Sequence, residues 1–131
     1  MEEIFSLPPL GAFDNNYQMV LEFMDTLGNP KFKIAGDVDL ENSDIESLGN
    51  LVEVEGYLIL YKVNIESLPD NLKVGGFLGL SYTNIKSLGD NLHVGGDLYL
   101  RYTPLSAMYT RKEIRKMIKD KGGFVKGDIY I

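Results

Sequence analysis

Gly36, Gly56, Gly76 and Gly96 stand 20 residues apart, and the same step relates several further columns. Ile34, Val54, Val74 and Val94 precede the glycines; Val38, Leu58, Leu78 and Leu98, then Leu40, Leu60, Leu80 and Leu100, follow them. Ile45, Ile65, Ile85 and Leu105, then Leu48, Leu68, Leu88 and Met108, complete the unit. A unit this short cannot bury its apolar side alone, so copies must stack on one another to make a core. A fifth, interrupted copy closes the chain: Val125-Lys126-Gly127-Asp128-Ile129-Tyr130-Ile131 parallels Val94 to Leu100 at a step of 31 residues, one unit plus an insertion.

Within each unit, apolar residues alternate with others over Val38 to Leu40, Leu58 to Leu60, Leu78 to Leu80 and Leu98 to Leu100, which is strand periodicity. Stacked units then give a five-stranded parallel sheet, with strands about 4.8 Å apart. Twenty residues leave no room for a helix in every unit, so the opposite side is expected to be extended or turn-like. Gly75-Gly76 and Gly95-Gly96 mark tight corners where a side chain would crowd the next unit.

Stacks need caps, because their end units expose core and strand edges. Val20, Phe23, Met24 and Leu27 follow helical spacing, with Asn15 or Asn16 as N-cap and Gly28-Asn29-Pro30 as the stop, predicting a capping helix over about 16–28. The insertion reads as a second helix: Thr110 and Glu113 form a capping box, Ile114, Met117 and Ile118 one apolar stripe, and Gly122-Gly123 the end. The expected organisation is a single domain over 1–131, with a cap at 1–30, four repeats at 31–108, and a helix plus final strand at 109–131.

Leu78-x-Leu80-x-x-Thr83-x-Ile85 and Leu98-x-Leu100-x-x-Thr103-x-Leu105 resemble the leucine-rich-repeat core in a short form. Leu68-Pro69 and the Val-Gly-Gly corners are similar to the variant common in bacterial and bacteriophage proteins. The resemblance covers about residues 31–131. It implies an α/β, mostly β solenoid and a protein-binding scaffold, and it points to a phage or bacterial protein that modulates a host protein. The family's usual Asn is replaced by Ser43, Val63, Thr83 and Thr103, so a polar ladder along the stack is expected to break at Val63.

Composition narrows the chemistry. With no cysteine, the chain has no disulfide framework, thiolate metal site or thiol nucleophile. A net charge of −6 argues against direct nucleic-acid or anionic-membrane affinity. The charge is divided: residues 109–131 carry seven Lys/Arg against three acids, which leaves 1–108 with a net −10. The acidic start Met1-Glu2-Glu3 and Pro8-Pro9 do not read as a secretory leader, and no run is long enough to span a membrane, so the expected location is cytoplasmic. The basic helix reads as a solvated face. His93, the only histidine, shares its column with Lys73 and reads as exposed and incidental; Ser47, Ser67 and Ser87 share a turn column. No nucleophile, base and orienting group assemble, and no cofactor or metal site is expected, so the chain is not read as an enzyme.

If the leucines point inward, the other face of the sheet carries Asp37, Tyr57, Phe77, Asp97 and Asp128 in one row, Asp39, Ile59, Gly79, Tyr99 and Tyr130 in the next, and Glu41, Tyr61, Ser81 and Arg101 in a third. Clustered aromatics ringed by charge have the composition of a binding hot spot. The protein-binding residues are therefore Tyr57, Ile59, Tyr61, Phe77, Tyr99 and Tyr130 for contact area. Asp37, Asp39, Glu41, Asp97 and Arg101 set orientation. An occupant from the same chain, Ile4, Phe5, Leu7, Leu10 and Phe13 folding across the face, is the alternative. Other classes are a structural component of a particle or assembly, with the end units as contacts, and an acidic nucleic-acid mimic that blocks a nucleic-acid-binding protein; the chain itself is expected to be a monomer or to self-associate weakly.

Overall fold

The computed structural model describes residues 3–131; Met1 and Glu2, the first part of the acidic start, lie outside them. The fold is α/β, with short parallel strands in two sheets, and neither sheet closes into a barrel. In chain order the strands are β1 (Phe5–Leu7), β2 (Phe32–Ile34), β3 (Val38–Asp39), β4 (Leu51–Val54), β5 (Leu58–Ile59), β6 (Lys73–Val74), β7 (Leu78–Gly79), β8 (His93–Val94), β9 (Leu98–Tyr99), β10 (Phe124–Val125) and β11 (Ile129–Tyr130). A six-stranded sheet runs β1-β2-β4-β6-β8-β10, and a five-stranded sheet β11-β9-β7-β5-β3.

The five-stranded sheet is the one the alternation predicts, and its register follows the sequence period. Leu58 pairs with Leu78 and Leu78 with Leu98, while Ile129 pairs with Leu98 across the 31-residue step. The six-stranded sheet corrects the expectation of an extended or turn-like opposite side. Val54, Val74 and Val94 are the inward residues of strands there, and Val74 pairs with both neighbours. Phe32-Lys33-Ile34, Leu72-Lys73-Val74 and Leu92-His93-Val94 alternate apolar and polar residues, so a strand signal is present in the sequence on this side too.

The two sheets meet at the glycine corners without interrupting the hydrogen-bond line. Gly56 N–H donates to Gly36 C=O at 2.8 Å, Gly76 to Gly56 at 2.9 Å, Gly96 to Gly76 at 3.0 Å and Gly127 to Gly96 at 3.0 Å. The predicted crowding is real at Gly75, where an added Cβ would lie 2.0 Å from the Glu55 carbonyl oxygen. One hydrophobic core takes Val54, Val74 and Val94 from one sheet and Leu58, Leu78 and Leu98 from the other. Each fully buried leucine is worth about 2 kcal/mol of transfer free energy.

Three helices complete the fold: α1 (Tyr17–Thr26), α2 (Pro104–Met108) and α3 (Arg111–Asp120). Asn16 caps α1 by accepting from the Met19 N–H. Its buried face is Tyr17, Val20 and Met24, not the expected Phe23 and Leu27, which are exposed. Tyr17 reaches across to donate its hydroxyl to the Leu48 carbonyl at 2.6 Å. Between β1 and α1 a 3₁₀ turn at Leu10–Phe13 buries Leu10. The short α2 interrupts the fourth repeat; Thr103 caps it, Leu105 stays buried, and Met108 is exposed, so Met108 is not the anchor that its column predicts.

The Thr110–Glu113 capping box and the buried Ile114 and Ile118 of α3 stand as predicted, with Met117 half-buried. Arg115 leaves the helix face to donate to the Val125 and Gly127 carbonyls, both at 2.8 Å, and so closes the last unit. The polar ladder takes another form from the one expected. Thr83 and Thr103 hydroxyls donate to Leu80 and Leu100 carbonyls of their own units, each at 2.7 Å. Side-chain amides run along the stack instead, Asn84 to Asn64 and Asn91 to Asn71, both at 2.8 Å.

Candidate functional site

On the outer face of the five-stranded sheet the aromatic residues join into one row. Tyr57 stacks on Phe77 with centroids 5.0 Å apart, Phe77 meets Tyr99 edge-on at 5.6 Å, and Tyr99 stacks on Tyr130 at 4.9 Å. The row steps diagonally, because Tyr57 and Phe77 sit in the first ladder while Tyr99 and Tyr130 sit in the second. Register places Ile59 between Asp39 and Gly79. All four rings and Ile59 are half-buried, each shielding its neighbour while keeping one side open to solvent.

Tyr61 lies down on Gly79. A Cβ at Gly79 would sit 2.5 Å from Tyr61 Cε1 and 2.8 Å from its hydroxyl, so glycine here is the floor on which the ring rests. Burial, then the neighbouring Tyr99, Glu41 and Asp39, pushes the Tyr61 phenol above its ordinary range. Asp97 and then Asp128 push the Tyr130 phenol up as well, with Arg111 acting the other way. Both hydroxyls therefore remain protonated donors through the neutral range.

The expected charged residues divide into two kinds. Asp37 and Asp97 are corner residues: Tyr57 N–H donates to Asp37 Oδ1 at 3.0 Å, and Asp128 N–H to Asp97 Oδ1 at 2.8 Å. Their carboxylates tie one unit to the next and contribute charge only secondarily. Asp39, Glu41 and Arg101 are exposed at the rim, with Asp39 Oδ1 accepting from the Glu41 N–H at 3.1 Å. Among the described residues no group of three His, Asp or Glu is placed to hold a metal ion.

The same-chain occupant is overturned. Residues Phe5–Leu7 pair with Phe32–Ile34 in the other sheet, Leu7 and Leu10 enter the core, and Phe13 packs near Phe23 at 6.1 Å. This stretch thus caps the stack instead of crossing the aromatic face. His93 is also corrected: it is half-buried in the six-stranded sheet, 4.7 Å from the Phe124 ring, with Nε2 3.4 Å from the Gly122 carbonyl oxygen. The serine column acts as turn chemistry, Gly49 N–H donating to Ser47 Oγ and Gly89 N–H to Ser87 Oγ.

One feature escaped sequence reasoning. Asn42, Lys62, Tyr82 and Tyr102 fill one column, and all four have φ between 58° and 62°. Asn accepts that left-handed conformation readily, whereas tyrosine there costs about 1–2 kcal/mol. Tyr82 and Tyr102 nevertheless stack at 4.7 Å and stand 54% and 71% exposed. Tyr82 shares a small cleft with Glu41, Tyr61, Lys62 and Ser81, which joins this pair to the aromatic face. The recurrence of tyrosine at a 20-residue step was the available signal.

A larger cleft, about 560 Å³, opens at the first-unit end of the face between the start of α1 and the turn after β3. Asp39, Glu41 and Asp44 line it together with Asn15, Asn16 and Gln18, and none of its lining residues is Lys, Arg or His. No protein-family model, curated protein or solved structure matches the chain. Among the described residues no helix is long and apolar enough to cross a membrane.

Proposed function

We propose that this chain is a small solenoid of the leucine-rich-repeat type that binds a partner protein through the outer face of its five-stranded sheet, and that it is not an enzyme. The observation that carries the reading is the four-ring row Tyr57–Phe77–Tyr99–Tyr130, half-open to solvent, flanked by acids and left uncovered by the N-terminal segment. Large rigid rings give contact area at small entropic cost, and surrounding charge fixes register and speeds encounter. The 20-residue register and the leucine columns support the repeat assignment. The resemblance to bacterial and bacteriophage repeats directs the search for the partner to a bacterial cell.

The test is a quantitative pull-down from a bacterial lysate, comparing wild type with Ile59→Arg/Tyr99→Arg after circular dichroism has shown that the variant is folded. A protein captured by wild type and lost by the variant is the expected result. Equal capture by both would remove the aromatic face as the site.

A further inference from the structure

The charge on this face is one-sided. Its three rows hold Asp37, Asp39, Glu41, Asp97 and Asp128 against a single cation, Arg101. At the first-unit end it runs into the 560 Å³ cleft, where Asp39 and Glu41 belong to both surfaces and Asp44 adds a third carboxylate. The amides of Asn15, Asn16 and Gln18 supply further acceptors, while no cationic side chain lines the cleft. At the far end Asp97 and Asp128 still outweigh the one cation there, Arg111, in their effect on the Tyr130 phenol. Lys62 stands beside Glu41 in the smaller cleft, outside the larger one.

Resting on the protein-binding reading above, we propose that the partner presents an extended, basic segment. Its Arg or Lys head groups enter the acidic cleft at Asp39, Glu41 and Asp44, and the segment then runs across Ile59 and the ring row toward Tyr130. Two features of the surface favour this occupant over an apolar or acidic one. The carboxylates of the larger cleft, which no cationic side chain lines, are matched by charge, and guanidinium groups bond them in pairs. Electron-rich ring faces attract the same cations and cover their methylene stems, so the aromatic and acidic parts of the surface serve one ligand. The length follows from the sheet. Four strand spacings separate β3 from β11, about 19 Å, which about six residues of extended chain would span.

The test uses two synthetic heptapeptides, one alternating arginine and glycine and one with glutamate in place of arginine, titrated calorimetrically into the full chain. The arginine peptide should bind and the glutamate peptide should not. Asp39→Asn/Glu41→Gln/Asp44→Asn should weaken the arginine peptide about tenfold or more, and Asn at 39 keeps the oxygen that accepts from Glu41. Glu3→Gln/Glu53→Gln/Glu55→Gln removes the same charge at and beside the six-stranded sheet, away from the cleft, and should leave affinity within about twofold.

Equal weakening by both triple variants would make the attraction diffuse and overturn the proposal, as would no binding of the arginine peptide. Sedimentation showing a self-association that the Asp39/Glu41/Asp44 variant abolishes would assign the face to a second copy and overturn it too. If the peptide fails while Ile59→Arg/Tyr99→Arg still loses a captured protein, the basic segment falls and the protein-binding face stands. If capture is also indifferent to that variant, both fall.

Discussion

Two glycines of the third unit should respond to alanine in the opposite order from their burial. Gly79 is buried and Gly75 exposed, so burial alone marks Gly79 as the sensitive position. Geometry reverses this. At Gly79 the obstacle is the outer edge of the Tyr61 ring, 2.5 Å from the new Cβ. Moving a ring edge by about 1 Å takes a rotation of some 15° about its stem, a fraction of the 0.5–1.5 kcal/mol that a larger rotamer distortion costs. Replacing a strand glycine with alanine returns about 0.5–1 kcal/mol of unfolded-state entropy. Gly79→Ala should therefore change stability by less than about 1 kcal/mol.

At Gly75 the obstacle is the Glu55 carbonyl oxygen at 2.0 Å, and it is backbone. Relieving it strains the bonds from Gly75 N–H to the Val54 carbonyl at 3.0 Å and from Gly76 N–H to Gly56 at 2.9 Å. Ala35, Glu55 and Lys126 occupy the same column in other units, so the stack can open at this position, and the expected cost stays within the usual range of overpacking, about 2 kcal/mol. For 131 residues this corresponds to a fall in Tm of about 7 °C, read by circular dichroism on heating. A Gly79→Ala melt below that of Gly75→Ala would refute the reasoning. So would a Gly75→Ala melt within about 2 °C of wild type.

Tyr17→Phe strands the buried Leu48 carbonyl and should cost about 1–2 kcal/mol in urea at pH 7. Burial raises the Tyr17 phenol far above its ordinary value, so its contribution is complete below about pH 10 and lost as pH rises beyond it. The gap between wild type and variant should accordingly narrow at pH 10.5. Arg115→Ala frees the Val125 and Gly127 carbonyls; amide exchange should quicken over Phe124–Tyr130 and stay unchanged at Leu58–Gly79, and equal change in both would place Arg115 outside the end cap.

The sequence read most clearly where one unit repeated the next. The leucine columns, the 31-residue step to the last copy and the α3 capping box are all patterns of local spacing, and the structure keeps them. Legibility ended where spacing no longer carried the signal. The second sheet has strands of two to four residues, marked only by brief alternations such as Leu72-Lys73-Val74 and Leu92-His93-Val94 ahead of a glycine pair. The apolar stripe of α1 was ambiguous because Tyr17 reads as a polar first-turn residue until its hydroxyl finds the Leu48 carbonyl, 31 positions away. Phe5–Leu7 has the composition of a cover for an aromatic face, yet it completes the edge beside β2, where backbone pairing and core burial of Leu7 act together.

The site shows the same division at the level of single side chains. Alternation put Tyr57, Phe77, Tyr99 and Tyr130 on one face, but only the structure shows the diagonal stacking that makes them one surface. It also separates carboxylates that composition treats alike. Asp37 and Asp97 spend an oxygen on the next unit's N–H, so their loss should lower stability as well as binding. Asp39, Glu41 and Asp44 line an open cleft, so neutralising them should act mainly on a ligand. A substitution series along this face should therefore separate into two groups when stability is plotted against affinity. Asp37→Ala or Asp97→Ala, which remove the accepting oxygen, falling with the Asp39/Glu41/Asp44 variant at unchanged stability would show that the corner bonds contribute nothing to holding the units together.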